Sequence, residues 1–521
     1  MIRNQAGIAG VIAGAVALGV TEFAAGILSG GRSPFLAVGD AAIRLTPGPV
    51  VRFAIDTFAS ANRLVLFLVM AAVLLVVARW IGIAAARRRP IGDLGIAAVG
   101  ALGVAAGLTD PLLPAGTAIA APTLGAVAGI ALLRRLLRAS GQTVAAAPSG
   151  AEDRASTPVT EYPTDPHQSR RTFLRLAAAG AGGAAVAATT GRMLQQRARA
   201  DEARLATSLP RPSSPVEVPP AASRIEVDGI SPLITPNDDF FRIDTALGVP
   251  RVDPDEHVLR ISGLVDSPFE LDYEELLAEA DTEAYVTLSC VSNEVGGDLV
   301  GHARWQGIPL GRLLDRAGVQ AEATQIVGRS VDGWTSGFPV EAAFDGRGAL
   351  VAVGMNGEPL PERHGFPVRL VIPGLYGYVS NTKWLAEIEL TTFEAHDAYW
   401  IPRGWSAEGP IKTQSRIDVP AAGSSLSAGA AAVAGVAWAD ERGVSAVEVQ
   451  IDDGPWQPAE LGDELSSSSW RQWHLAWDAS SGDHTLRVRA FDADGVPQTD
   501  TLRPPAPDGA TGHHNVQVRV S

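Results

Sequence analysis

Four stretches within residues 1–133 are long and apolar, with few charges inside them: Ala6 to Leu28, Leu64 to Ala86, Leu94 to Thr109 and Ala115 to Leu133. About 20 apolar residues cross the hydrocarbon core of a bilayer, so three qualify by length and the third stretch is short for a span. This pattern predicts an α-helical membrane bundle over residues 1–139. Arginine accumulates after two of the stretches, as Arg87-Arg88-Arg89 and as Arg134, Arg135 and Arg138. Basic residues stay on the cytoplasmic side, which places the N-terminus inside and returns the chain to the cytoplasm by about residue 140.

The charge is split along the chain. Residues 1–200 carry 19 Arg, no Lys and 9 acids, a net of +10, so the −15 of the whole chain leaves −25 for residues 201–521. An acidic C-terminal part argues against nucleic acid as a partner, because phosphate binding needs a basic footprint. No histidine precedes His167, so the bundle lacks the axial ligands of a His-held haem. Glu22, Asp93 and Asp110 are the acids within or at the ends of the spans, too few for an ion pathway. The bundle reads as an anchor in the lipid bilayer of a multi-pass cell-membrane protein.

Residues 140–168 are polar and Pro-rich, a flexible linker. Then Ser169-Arg170-Arg171-Thr172-Phe173-Leu174-Arg175 precedes an Ala/Gly-rich run, and 169–195 reads as a fifth membrane segment. The seven residues resemble the twin-arginine pattern that sends proteins folded around a cofactor across the cytoplasmic membrane; the plainer alternative is a basic flank of that fifth span. Both readings put everything after about residue 195 outside the cytoplasm.

Beyond a Pro-rich linker over 196–229, short strands and helices mix up to about residue 398. Val258 to Gly263 and Val368 to Ile372 read as strands, Tyr273 to Ala280 and Leu310 to Ala317 as helices. Residues 405–521 differ. Val447, Val449 and Ile451, then Leu486 and Val488, then Val516, Val518 and Val520 each alternate with polar residues, with Asp453-Gly454 and Asp494-Gly495 as turns. Period two with such turns predicts an antiparallel β-sandwich. The single cysteine, Cys290, excludes intramolecular disulfides, multi-cysteine zinc sites and iron–sulfur clusters.

Residues 354–390, GMNGEPLPERHGFPVRLVIPGLYGYVSNTKWLAEIEL, resemble the pterin-binding core of the sulfite oxidase family of molybdenum enzymes. LSCVSNEVGGDLVGHARWQGIPLGRLL (288–314) resembles the segment that carries the family's molybdenum-binding cysteine, and ITPNDDFFRID (234–244) the segment that passes over the pterin. The resemblance runs over roughly 230–521 and implies a multidomain chain: the helical membrane bundle, an α+β molybdopterin-binding domain over 230–398, and an immunoglobulin-like C-terminal β-sandwich that often mediates homodimers in this family. A lone cysteine is commonly an inert buried residue, but the resemblance makes Cys290 the molybdenum ligand, in keeping with a soft thiolate. It assigns His364, Arg369, Ser380, Thr382 and Lys383 to the pterin and its phosphate, an anion that needs cations and N–H donors. Ser330 stands at a cofactor-contacting position of a related subfamily, and Asp238, Phe241 and Arg242 fall in the segment over the pterin.

One departure bears on substrate. The family's sulfite oxidases place anion-binding arginines after the cysteine, where this chain has Asn293 and Glu294. A carboxylate there repels sulfite, unless Arg242, Arg329 or His302 supplies the positive charge. The catalytic set is therefore Cys290, Arg242, Glu294 and Arg329. The resemblance implies a molybdopterin oxidoreductase that moves an oxygen atom to or from a small molecule and exchanges electrons with an external partner. The alternatives are a sulfite oxidase proper and a non-catalytic surface module that displays the immunoglobulin-like domain.

Overall fold

The computed structural model describes residues 2–28, 32–58, 61–139, 166–196, 204 and 207–521. The chain divides into two compact units, Met1–Ala198 with Ala246–Gly248, and Arg199–Thr245 with Val249–Ser521.

The first unit is helical: α1 (Ile2–Leu28), α2 (Pro34–Leu45), α3 (Gly48–Phe58), α4 (Asn62–Arg87), α5 (Arg89–Leu108), α6 (Ala115–Ala139) and α7 (Pro166–Gln196). Among the described residues, five helical segments are long and apolar enough to cross a membrane: Asn4–Leu28, Asn62–Arg87, Arg89–Leu108, Ala115–Ala139 and Arg171–Gly191. Helix α1 packs against α4, α6 and α7. Small residues permit this, as they do between helices in lipid: a Cβ on Gly10 would lie 2.1 Å from the Ala78 carbonyl oxygen of α4. Helices α2 and α3 are additions to the four expected within 1–139. Both are short, and α2 is set by local chemistry: the Ser33 hydroxyl accepts from the Leu36 N–H at 3.3 Å, with Pro34 in the first turn. Arg32 joins Asp40 and Asp110 in a buried ion-paired group. The linker expected over 140–168 lies, up to residue 165, outside the described residues, and its last residues already belong to α7.

In the second unit, residues 258–391 form two five-stranded sheets. One orders Phe269–Asp272, Val258–Gly263, Leu385–Thr391, Gln325–Ser330 and Thr335–Pro339. The other is built from Thr282–Ser289, Val300–Pro309, Leu350–Met355 and Glu358–Pro359, with Arg369–Val371 paired to Leu350–Met355. Helix Tyr273–Glu279 starts on a capping box of Asp272 and Glu275, and helix Leu310–Ala317 ends at Gly318, whose φ is +69°. Both match the sequence reading to within a residue.

From Gln414 onward the chain is a β-sandwich of a four-stranded and a five-stranded sheet. The alternating segments form the strands Val444–Ile451, Gly482–Asp492 and His514–Val520 of one sheet. Their apolar sides, Val447, Val449, Leu486, Val488, Val516 and Val518, meet Val433 and Trp473 of the facing sheet. The sandwich does not stand apart from the preceding sheets: Val436, Trp438 and Trp470 belong to the same apolar core as Trp305, Leu288 and Phe366.

Candidate active site

Strand Thr282–Ser289 ends at Cys290, where the chain turns sharply: the Cys290 N–H donates to Leu299 O at 2.9 Å and the Asn293 N–H to Cys290 O at 3.0 Å. Asn293 turns inward and accepts from the Leu299 N–H at 2.9 Å, which locks the loop. Cys290 is 9% exposed and lines a cavity together with Phe241, Asp244, Ser330, Arg369, Tyr378, Asn381, Lys383, Trp334, Trp384 and Trp400. Burial pushes the thiol's pKa up, while Ser292 and, more weakly, the charge of Lys383 favour the thiolate.

The cations of the cavity come from one local motif. Gly365 has φ +113°, and a Cβ there would press on Lys383 Cα at 3.1 Å and Arg369 Cβ at 3.2 Å. Glycine in HGFPVR thus lets the two cationic residues close on each other. Arg369 is 4% exposed, donates to Leu370 O and His364 O, and has no carboxylate in an ion pair among the described residues; burial lowers its pKa to about 9. Lys383 donates to Asp244 at 3.1 Å and to Arg363 O at 3.3 Å, and burial lowers its pKa to about 8 against the opposing pull of Asp244.

His364 is fully buried, packed edge-on against Phe240, and donates from Nε2 to Asn237 O at 2.9 Å. Burial first, then the Lys383 charge, lowers its pKa to about 3, so the ring is neutral and Nδ1 is an acceptor with no partner. Asn381 is a site residue that the sequence reading passed over. It is 7% exposed; Oδ1 accepts from the Ile372 N–H at 2.9 Å, and Nδ2 lies buried without a partner. Asn381 directly follows the short helix Gly377–Ser380 in SNTKW and lines the cavity with Lys383 and Trp384; the irregular backbone there gave no periodicity from which to read its direction.

The hydroxyls on either side of Asn381 point elsewhere. Ser380 donates to Leu375 O and Tyr376 O, and the Thr382 hydroxyl bonds Ser336 Oγ at 2.7 Å, so both hydroxyls are spent in the core away from the cavity. Asp238 is exposed and outside the lining, because the 236–240 turn sends Phe240 inward instead. Arg242 also lies outside the lining, paired to Asp244 at 2.8 Å. Arg329 sits on strand Gln325–Ser330 with Glu387 and Glu389 as ion-pair partners, again outside the lining. Glu294 is exposed and does not face the cavity, since the inward turn of Asn293 directs its neighbour to solvent. His302 is a core residue: Nδ1 donates to Leu233 O, Nε2 accepts from Ser469, and burial lowers its pKa to about 4. Cys290, Phe241, Ser330, Arg369 and Lys383 line one cavity, and His364 lies behind it, outside the lining.

The residues fit an anionic pterin. Arg369 supplies a buried cation without a carboxylate among the described residues, and the orphaned Asn381 Nδ2 supplies a donor in the lining. Such groups are costly unless a ligand satisfies them.

Residues 246–400 match the family described as oxidoreductase molybdopterin binding domain. The chain is 36% identical over 151 residues to the uncharacterized oxidoreductase YuiH of Bacillus subtilis, covering 29% of this chain and 73% of that protein. Mitochondrial sulfite oxidase of Macaca fascicularis is 31% identical over 320 residues, covering 52% of this chain and 58% of the relative, so the chain spans little more than half of that enzyme. Among solved structures, the sulfane dehydrogenase SoxCD of Paracoccus pantotrophus aligns with a TM-score of 0.48 and 22% identity over 60% of this chain and 88% of that one. The chain belongs to the molybdopterin-binding oxidoreductases of the sulfite oxidase family.

Proposed function

We propose that this protein is a membrane-anchored, extracytoplasmic molybdopterin oxidoreductase in which Cys290 ligates molybdenum and the substrate is a neutral oxygen donor such as a sulfoxide. The observation that carries the assignment of the site is the convergence of Cys290, Arg369, Lys383 and the unpartnered amide of Asn381 on one cavity. When bound, the cofactor supplies two-electron oxygen-atom transfer at its metal. The chain's own residues do the rest. Arg369 and Lys383 hold the phosphate, with His364 O accepting from Arg369 behind them, Asn381 donates at the pterin edge, and Ser330 and Phe241 line the cofactor's flank. Lys383 and Ser292 favour the thiolate of Cys290 against its burial.

The substrate class follows from where the positive charge is used. Arg242 is tied to Asp244 and Arg329 to Glu387 and Glu389, while His302 is neutral in the core. Arg369 and Lys383 are reserved for the phosphate, so a sulfite dianion finds no further cation in the lining, which holds Trp334, Trp384, Trp400 and Tyr378 instead. Burying an unpaired anion is costly. Kinetics decide: sulfite with an electron acceptor, against a neutral sulfoxide with a reduced dye. Efficient sulfite oxidation without sulfoxide turnover would favour a sulfite oxidase proper.

The five apolar helices support the anchor, and the arginine clusters after α4 and α6 support an N-terminus in the cytoplasm with the second unit outside. SRRTFLR at 169–175 supports twin-arginine export of the loaded domain. The sandwich topology supports an immunoglobulin-like domain, which homodimerises in this reading, and electrons pass to or from an external partner.

A further inference from the structure

The segment after strand Arg369–Val371 brings Gly377, Tyr378 and Asn381 to the cavity, and it is held by residues 409–412, just before the sandwich, and by a turn of the sandwich itself. The Gly374 N–H donates to Asp440 Oδ2 at 3.0 Å, and the Ile411 N–H to Gly374 O at 2.9 Å. The Tyr376 N–H donates to Gly409 O at 2.7 Å, and its hydroxyl accepts from the Lys412 N–H at 3.4 Å. Gly374 has φ +81°, and a Cβ there would stand 2.5 Å from Glu441 Oε2, so the sandwich turn and this loop are in close contact.

Among these clamps Asp440 is the one whose hold depends on charge. It is 1% exposed, in the turn between strands Gly429–Trp438 and Val444–Ile451, and its Oδ1 is buried without a hydrogen-bond partner. The charged and polar groups that face it are Glu441 of its own turn, Arg347 and the Ser468 hydroxyl. Arg347 is already engaged by Asp345 and, at 3.4 Å, by Glu441, and it also donates to Pro373 O.

We propose that Asp440 is a positioning residue of the active site, holding the 373–381 loop in register against Cys290 from the β-sandwich. This rests on the reading of Cys290 as the metal-facing residue. A neutral carboxyl accepts from Gly374 N–H at no electrostatic cost; an ionised one is favoured by the hydrogen bonds of Gly374, Glu441 and Ser468, but burial, with the charge of Glu441, outweighs them. Burial raises the pKa of Asp440 to about 8, so the carboxyl that accepts from Gly374 is neutral in mildly acidic to neutral solution. A carboxyl whose folded pKa lies above its unfolded value contributes stability that is full below about pH 4 and is lost as pH rises through about 8. Releasing Gly374 shifts Tyr378 and Asn381 at the cavity.

The test compares wild type, Asp440→Asn and Asp440→Ala as full-length holoproteins between about pH 6 and 9. Molybdenum content, the Mo(V) paramagnetic resonance signal, visible absorption and melting temperature are measured on each. The expected wild-type result is a spectral change centred near pH 8 and a Tm that falls as pH rises towards 8 and levels off above it. Asp440→Asn, neutral and still an acceptor, keeps the low-pH spectrum and lacks the transition. Asp440→Ala shows an altered spectrum already at about pH 6 with unchanged metal content. A flat wild-type profile, a transition that persists in the Asn variant, or an Ala variant altered in Tm alone would each overturn the proposal. Should the Ala variant fail to fold, the Asn profile decides. Metal-free wild type would contradict the reading of the cavity, and the Tm profiles would still test Asp440.

Discussion

Gly365 is the residue on which the cation pair of the site depends. Its positive φ and the close approach of Lys383 and Arg369 mean that Gly365→Ala strains the backbone by about 1–3 kcal/mol. The expected outcome is a matching loss of stability by chemical denaturation, together with reduced molybdopterin content in purified protein. Glu294 gives the opposite forecast. Being exposed and outside the cavity, Glu294→Arg should change kcat/KM for sulfite and for a sulfoxide by less than about twofold, because exposed charges are screened. Steady-state kinetics on both substrates check this. Residue types and motif placement made Cys290, Arg369 and Lys383 legible in the sequence. The direction of each neighbouring side chain was not. Ser380, Thr382, Asp238 and Glu294 stand beside cavity-facing or inward-turned residues, and a one-residue change of face in irregular backbone or a tight turn decides which of two polar neighbours meets the ligand.

Among elements, strand Val300–Pro309 shows how a plausible functional histidine becomes structural. His302 bonds Leu233 O and Ser469 and joins the strand to the sandwich. Its folded pKa of about 4 lies below the ordinary 6.5, so the neutral ring contributes stability above about pH 6.5 that is lost as pH falls through about 4. The difference corresponds to roughly 3 kcal/mol. Urea unfolding at a series of pH values should show this acid-side loss, and His302→Asn, which keeps a donor for Leu233 O, should flatten it. Helix α7 carries the second test at this scale. Replacing Arg170-Arg171 with Lys-Lys preserves the basic flank, yet under the twin-arginine reading it leaves the second unit in the cytoplasm. Protease accessibility in intact cells measures this, and normal exposure would reduce the motif to a topological flank. The long helices were legible because apolar length is a strong signal. Helices α2 and α3 were missed because, at 12 and 11 residues, they are too short to register beside the long apolar helices, although each is amphipathic.

At the scale of the whole molecule, the sequence pattern separates a β-sandwich from the catalytic sheets, and the structure joins them through Val436, Trp438, Trp470 and the Asp440 clamp. Shared cores arise from contacts far apart in sequence, which composition and periodicity do not report. The central claim is that this chain holds molybdenum through its one thiol. Molybdenum X-ray absorption on purified full-length protein and on Cys290→Ser tests it most directly. The account predicts stoichiometric molybdenum in the wild type, one sulfur scatterer fewer at the metal in the variant, and a loss of activity of about a hundredfold or more. A sulfur shell unchanged by Cys290→Ser, or full turnover by that variant, would contradict it.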